Sequence, residues 1–207
     1  MPSLDRFELM RLYARRGIAD WKTAPAELRG RAARCLGTAI ADNEHEANNS
    51  IYVPYEENSG SKLRFIPMPK HPKKGIERCF FLPLWEMLSG GKEAVAFELF
   101  VLVARTDCLA FRFEPAHKPP SVHNYGHVQL SRKMVRKTIE VRGIPNWLPD
   151  SYPAFPILTS EPLTAFLCMV TAVHGYEDGC TAVLQDIFAG RPGELALYLN
   201  ELKKILV

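Results

Sequence analysis

The chain has 207 residues, of which 47% are apolar and 24% are charged. This length and apolar content suit one domain with a substantial core, or one domain with a small helical extension. The 26 basic and 23 acidic residues leave a net charge of +3. This total is too small to indicate a nucleic-acid-binding protein by itself.

The cysteines and the apolar runs indicate the compartment. The five cysteines are odd in number, and no two have the CxxC spacing of a zinc ribbon or a redox motif. Each lies among apolar neighbours, as buried thiols do, so we expect a reducing compartment. The start MPSLDRFELM carries acids where a signal peptide needs an apolar segment, and the run FLCMVTAV is too short to span a bilayer. A cytoplasmic protein without a membrane segment is therefore expected.

Two helices are predicted at the N-terminal end. In SLDRFELMRLYARRG, apolar residues recur at three- and four-residue steps, and Gly17 is expected to end the helix. In TAPAELRGRAARCLGTAIAD, a second apolar stripe follows a proline that a first helical turn tolerates. The polar stretch DNEHEANNS is expected to end this second helix.

Residues 51–90 have less regular patterns. The stretches IYVPY and KLRFIPM are typical of short strands, and their prolines favour positions at the edge of a sheet. LPLWEML is interpreted as a helical turn that is closed by the glycines of SGG.

The strongest strand signal comes next. AVAFELFVLVAR and CLAFRFEP flank a short turn and predict a β-hairpin near residues 94–114, and GHVQLS predicts a third strand. RKMVRKTIEVRG fits either a short helix or an extension of the sheet. IPNWLPDSYPAFPIL contains four prolines and is expected to be an aromatic loop without a regular element.

The C-terminal third is predicted to be helical, with helices in TSEPLTAFLCMVTAVHG, CTAVLQDIFAG and GELALYLNELKKIL. The order of helices, strands and helices predicts an α+β fold, in which a central antiparallel sheet of three to five strands has C-terminal helices packed on one face. Residues 1–207 are expected to form a single domain with a helical part (1–45), a mainly β part (51–142) and a second helical part (157–207).

The hairpin and the third strand predict a polar sheet face. Because side chains alternate across a strand, Arg112 and Glu114 share one face, and His127 and Gln129 share the equivalent face of the next strand. Glu98 is a further candidate for this face. Histidine transfers protons near neutral pH, so such a face could act on a phosphate ester or another scissile bond, with His123 or His127 as general acid or base and Arg112 steadying phosphate.

A solvated face is the favoured alternative, since antiparallel sheets often leave one face in water. Val128 and Leu130 would then lie in the core while His127 and Gln129 project into water. His127→Ala would consequently change the free energy of unfolding by roughly 0.5 kcal/mol or less.

A metal site is not expected. His117, His123 and His127 are close in sequence, but the prolines and the glycine between them argue against a helix. On a continuous strand, His123 and His127 would be roughly 13 Å apart, which is too far to share an ion. No cofactor is predicted either.

Two segments are candidates for binding a partner. The stretch SRKMVRK contains Arg132, Lys133, Arg136 and Lys137 with no acid, and the aromatic loop contains Trp147 and Tyr152. The first two helices add further basic residues, which would form a nucleic-acid footprint if they converged: Arg11, Arg15, Arg16, Arg29, Arg31 and Arg34. The alternative for the basic residues is that they lie on solvated faces on unrelated sides of the molecule. The alternative for the aromatic loop is that it covers the protein's own sheet.

Together these patterns favour a non-catalytic subunit or adaptor of a soluble cytoplasmic assembly, binding a partner protein or a nucleic acid. The alternative is a histidine-dependent enzyme of the phosphoesterase or nuclease type, or a toxin of that kind, that uses His123, His127, Arg112 and Glu114. A structural protein without intrinsic activity stays open as a third possibility.

Overall fold

The structure is a computed structural model that describes residues 6–36, 40–54, 63–70, 79–88, 92–102, 108–114, 126–131, 155–156, 162–175 and 179–205. Over these ranges the chain forms six α-helices and six β-strands, and the helices lie before and after the strands. None of the described helices has both the length and the apolar character that crossing a bilayer requires.

The elements follow one another in a simple order. The N-terminal helices are α1 (Arg6–Lys22), α2 (Ala26–Leu36) and α3 (Glu44–Tyr52). The strands are β1 (Ile66–Pro67), β2 (Cys79–Leu88), β3 (Lys92–Leu102), β4 (Cys108–Glu114), β5 (His127–Ser131) and β6 (Phe155–Pro156). The C-terminal helices are α4 (Pro162–His174), α5 (Thr181–Ile187) and α6 (Pro192–Ile205). The predicted α+β class is confirmed.

All six strands belong to one sheet, in which each strand pairs with its neighbours in sequence and every pairing is antiparallel. The predicted hairpin is confirmed as β3 and β4, and the predicted third strand as β5. The residue pairing across β2, β3, β4 and β5 is continuous, without a bulge. Side chains therefore keep strict alternation between the two faces of the sheet along these strands.

The helical turn expected in LPLWEML is wrong, because these residues belong to β2. Pro83 lies in the middle of this strand, opposite Phe97 of β3. The carbonyl of Cys79 accepts a hydrogen bond from Met68 N–H on the opposite side from β3. By alternation, Pro83 also directs its backbone away from β3, so its missing N–H removes no bond from the β2–β3 ladder.

The strand expected in IYVPY is also wrong, since Ile51 and Tyr52 end helix α3. The polar stretch that was expected only to end α2 instead starts this helix. The side chain of Asn43 accepts a hydrogen bond from Glu46 N–H, and the carboxylate of Glu46 accepts one from Asp42 N–H. This reciprocal cap satisfies N–H groups at the helix start, and the buried Ile51 anchors the far end.

Gly17 was expected to end α1, but it lies inside this helix. A Cβ atom at this position would be 1.9 Å from the carbonyl oxygen of Pro67 and 2.7 Å from its carbonyl carbon. Glycine is therefore needed at this point because the helix crosses the backbone of β1 at contact distance. The glycine predicted to end α4 is confirmed, since Gly175 has a positive φ of 75° and its N–H donates to the carbonyl of Thr171.

The proline-rich aromatic loop contains a short regular element after all. Phe155 and Pro156 pair with Val128 and His127 as the two-residue strand β6. A proline is tolerated there because β6 is the last strand in the sheet order. The remainder of that loop lies outside the described residues, and so does the segment RKMVRKTIEVRG. The expectations for both stay predictions. The assignment of residues 1–207 to one domain also stays a prediction.

The sheet has an apolar core on each face. The larger one, the major core, lies between the sheet and helices α1, α3, α4, α5 and α6. The smaller one, the minor core, lies on the opposite face beneath α2. Its buried residues are Trp21, Ala24, Leu28, Ala32, Leu36, Leu63, Phe65, Phe80, Leu82, Leu84, Leu102 and Ala110. The C-terminal helices therefore pack on one face, as predicted, but the other face also carries a core.

We predict that Gly17→Ala destabilises the protein by about 2 kcal/mol or more, because α1 must move away from β1 to make room for a methyl group. The free energy of unfolding from urea titration measures this. Gly30→Ala is the matched control inside α2, where the added methyl would meet only the end of the Arg34 side chain, at 3.6 Å. It should leave stability unchanged or raise it by about 0.5–1 kcal/mol. Equal effects of the two substitutions would contradict this account of Gly17.

Candidate functional site

Five polar side chains lie together on the face of the sheet that carries the minor core. Glu98 comes from β3, Arg112 and Glu114 from β4, and His127 and Gln129 from β5. The register places Glu98 opposite Arg112, Arg112 opposite Gln129, and Glu114 opposite His127. These five residues, called the polar row below, include three of the four residues predicted to be catalytic.

The charges in the polar row contact one another directly. Arg112 Nη2 donates to Glu98 Oε1 at 3.3 Å, and Arg112 Nη1 donates to Glu114 Oε1 at 3.3 Å. The other carboxylate oxygen of Glu114 lies 3.1 Å from His127 Nε2. One guanidinium is therefore shared by two carboxylates, and one of these carboxylates also contacts the imidazole.

The expectation of a solvated face is wrong for this part of the sheet. His127 is 0% exposed and Glu98 is 2% exposed, although the strand alternation is as predicted. Val128, on the opposite face of β5, packs against the major core. Glu98 and His127 are buried on this face because it carries the minor core, whereas Arg112, Glu114 and Gln129 are partly buried.

This burial changes what the polar row can do chemically. With a neutral imidazole, its two carboxylates and one guanidinium sum to a net negative charge, which disfavours a phosphate ligand. The guanidinium is already engaged on two sides. Among the described residues, Arg112 Nε and Gln129 Oε1 are nevertheless buried and find no hydrogen-bond partner. Each such atom destabilises the folded state by about 1–3 kcal/mol, so the row is not optimised for stability.

The other predicted site residues are not placed by the structure. His117 and His123, the basic residues Arg132, Lys133, Arg136 and Lys137, and the aromatic residues Trp147 and Tyr152 all lie outside the described residues. Their roles stay predictions. Within the described ranges, no group of three or more His, Cys, Asp or Glu residues is arranged to hold a metal ion.

Three arginines of α1 lie against acidic residues of the chain itself. Arg11 donates to Glu8 at 2.8 Å, and Arg15 lies 3.1 Å from Glu44. Arg16 contacts both Asp20 and Asp186, and so links α1 to α5. On α2, Arg29 and Arg34 are exposed, but they lie on different sides of the helix. Arg29 and Arg34 therefore do not share one face of α2.

A second polar group lies inside the major core and was missed from the sequence. The hydroxyl of Tyr13 and Nε2 of His174 are 2.6 Å apart in a buried hydrogen bond between α1 and α4. His174 was expected only to interact with the dipole at the end of its helix. The two residues are 161 positions apart in sequence, so no local pattern could have indicated this contact.

The thiols and the tyrosine of the major core are held in their protonated forms. Burial raises the pKa of Cys79 to about 12 and the pKa of Cys168 to about 11. Burial also raises the pKa of Cys180 to about 11, although Thr171 opposes the shift. The pKa of Tyr13 is raised well above its ordinary value by burial and by the nearby Cys180 and Cys79. Protonated thiols are poor nucleophiles, so these raised pKa values disfavour nucleophilic chemistry at the three cysteines.

Comparisons with protein-family models, with curated proteins and with solved structures found no match to this chain.

We predict that Arg112→Met lowers the free energy of unfolding by about 3 kcal/mol, because Glu98 and Glu114 lose their shared cation while they stay buried. Chemical denaturation at neutral pH measures the loss. Arg29→Met removes an exposed arginine and serves as the control, with an expected change of less than about 0.5 kcal/mol. A small effect at Arg112 would mean that water reaches the two carboxylates.

We also predict a loss of stability at alkaline pH. The folded state keeps the thiol proton of Cys79 to about pH 12, whereas an ordinary cysteine loses it near pH 9.0. The unfolded chain therefore binds fewer protons between these values, and the free energy of unfolding falls as the pH rises through this window. The expected slope is about 1.4 kcal/mol per pH unit for each such group.

Urea titrations between pH 8 and pH 11 measure this slope. Cys79→Ala should make the slope shallower, whereas Val101→Ala, a truncation at the same core without a titrating group, should lower stability equally at each pH. Parallel slopes in all three proteins would show that Cys79 does not contribute to the alkaline loss.

Proposed function

We propose that this chain is a non-catalytic subunit or adaptor of a cytoplasmic assembly and that it acts by binding a partner protein. The observation that supports this most directly is the engagement of Arg112 by both Glu98 and Glu114. In an enzyme that acts on phosphate esters, the Arg112 guanidinium would contact the substrate. Here it contacts two carboxylates of the protein itself.

The burial of His127 supports the same proposal. A general acid or base must come within about 3 Å of the proton that it transfers, or reach it through one water molecule. At 0% exposure, His127 meets no substrate in this conformation. Catalysis by His127 would require the sheet face to open.

The histidine-dependent enzyme is kept as a second candidate, because the structure brings together three of its four predicted catalytic residues. Glu114 Oε2 lies 3.1 Å from His127 Nε2, so a carboxylate stands beside the imidazole, as a third group does beside many general bases. This candidate needs a nucleophile or an activated water molecule as well as access for a substrate.

A protein is favoured over a nucleic acid as the partner. Arg11, Arg15 and Arg16 of α1 each lie against a carboxylate of the chain itself. Phosphate groups would have to compete with these carboxylates for the same guanidinium groups, which weakens the electrostatic attraction on which nucleic-acid binding depends.

The binding segments and the compartment belong to the same proposal. Trp147 and Tyr152 are proposed to contribute apolar contacts, and the basic stretch from Arg132 to Lys137 to contribute charge complementarity. The cytoplasmic location is supported by the free thiols of Cys79, Cys168 and Cys180, as expected for a reducing compartment.

The proposal is tested by cross-linking the tagged chain in cells of its source organism, purifying the captured protein and measuring the affinity of the reconstituted pair by calorimetry. Trp147→Ala and Tyr152→Ala should each weaken binding by about tenfold or more, as is usual for central aromatic residues of an interface. Tyr52→Ala is the matched control, because it removes a 42% exposed aromatic ring on α3. It should change the affinity less than about twofold.

Two other results would replace this proposal. If the chain instead binds nucleic acid, the affinity should fall by about 0.7–0.9 log units per log unit of salt for each phosphate contact, and alanines at Arg132, Lys133, Arg136 and Lys137 should flatten that slope. Phosphodiester hydrolysis that is lost in folded His127→Gln would identify the enzyme. A reconstituted pair whose affinity is unaffected by both aromatic substitutions would contradict the docking role of the loop.

A further inference from the structure

The apolar pattern of β3, β4 and β5 does not by itself define how these strands align. On the major-core face, β3 presents Val95, Phe97, Leu99 and Val101, and β4 presents Phe111 and Phe113. A shift of one residue would move each of these side chains to the opposite face, but a shift of two would keep all of them on the same face. Burial alone therefore distinguishes poorly between registers that differ by two residues.

The connections between the strands also differ in how strongly they restrict the register. Only residues 89–91 join β2 to β3, whereas residues 103–107 join β3 to β4 and residues 115–126 join β4 to β5. A short hairpin connection sets the register, and lengthening or shortening a longer one by two residues changes the closure entropy little. The β3–β4 and β4–β5 pairings thus need another determinant.

The polar row lies across these two pairings. In the native register, Glu98 faces Arg112 and Glu114 faces His127. A two-residue shift of β4 against β3 places Glu98 opposite either Glu114 or Ala110. A two-residue shift of β5 against β4 places His127 opposite Arg112, or places Gln129 opposite Glu114. Each shift of β4 brings two carboxylates together or separates Glu98 from Arg112, and each shift of β5 separates Glu114 from His127, all in a largely buried environment.

We infer that the polar row selects the native register of β3, β4 and β5 against two-residue shifts. This role also accounts for its imperfect hydrogen bonding, since Arg112 Nε and Gln129 Oε1 are buried without partners in the part of the chain that the structure describes. A row that is not optimised for stability can still favour one register, because the shifted registers are penalised more heavily than the native one. Buried polar groups have such a role in some other folds.

The test replaces the four charged or titratable members by apolar residues of similar size, in the variant E98L/R112M/E114L/H127L. It should remain folded and at least as stable as the wild-type protein, because hydrophobic replacement of a buried ion network is often neutral or stabilising. Its register should become mixed. The shifted population is expected to rise from below detection to about a tenth of the molecules or more, a change of roughly tenfold or greater in the equilibrium between registers.

Inter-strand NMR contacts measure the register. The native contacts join residue 98 to residue 112 and residue 113 to residue 128, whereas shifted strands join residue 98 to residue 110 or 114, and residue 113 to residue 126 or 130. The control E98D/E114D keeps every charge while it disturbs the packing, so it should show the native contacts alone. A fourfold variant that fails to fold, or that folds with native contacts alone, overturns the inference.

A second variant distinguishes two effects of the polar row. One effect penalises the shifted registers, and the other stabilises the native register. E98R/R112E keeps the net charge and an oppositely charged pair at the native positions. It also makes the shifted pairings attractive, since the arginine introduced on β3 could then face Glu114, and the glutamate introduced on β4 could face His127. Shifted contacts in this variant support the inference. Native contacts alone would overturn it, because pair attraction without exclusion would then be sufficient.

Discussion

The structure depends on a strict alternation of side chains along strands that are covered on both faces. Phe97 and Phe113 point into the major core, while their neighbours Glu98 and Arg112 point towards the opposite face, which carries the minor core. Because each face is covered, Glu98 and His127 leave water when the sheet forms, and Arg112 and Glu114 keep only partial exposure. Their charges must then be balanced by neighbouring residues of the sheet itself, and Arg112 balances two carboxylates at once.

This arrangement connects the fold to the proposed function. Residues that are individually suited to acid–base chemistry are brought together, but their contacts are with one another, and His127 is sealed from solvent. Convergence of catalytic residue types is therefore a weaker argument for catalysis than convergence combined with access. The same contacts suit a sheet that supports the proposed binding segments.

Helix α1 holds the two ends of the chain against this sheet. Gly17 allows it to cross the backbone of β1 at contact distance, and Tyr13 reaches His174 at the end of α4. Arg16 adds a contact to Asp186 of α5. The N-terminal and C-terminal helices are thereby joined on one face of the sheet by close packing, by a buried hydrogen bond and by an ion pair.

The sequence by itself determined the β3–β4 hairpin, the strand β5 and the helix α4, because each of these elements has a regular apolar period and a glycine or proline at its boundary. The order of the predicted elements then determined the α+β class. The sequence also determined which side chains share a face, and so predicted that Arg112, Glu114, His127 and Gln129 lie on one side. Alternation is a local property of a strand, so it needs no knowledge of the partners.

Only the tertiary structure decided whether that face is wet or buried, since burial depends on what packs over a strand and not on the strand itself. It also decided that Gly17 is a contact point within α1 and that Tyr13 meets His174. Helix α3 and strand β2 were misread for a related reason. The cap at Asn43 forms hydrogen bonds, and Pro83 leaves one out on the side away from β3, and both depend on the folded chain. Local periodicity predicts the elements, whereas exposure, close approach and charge pairing arise only when distant elements meet.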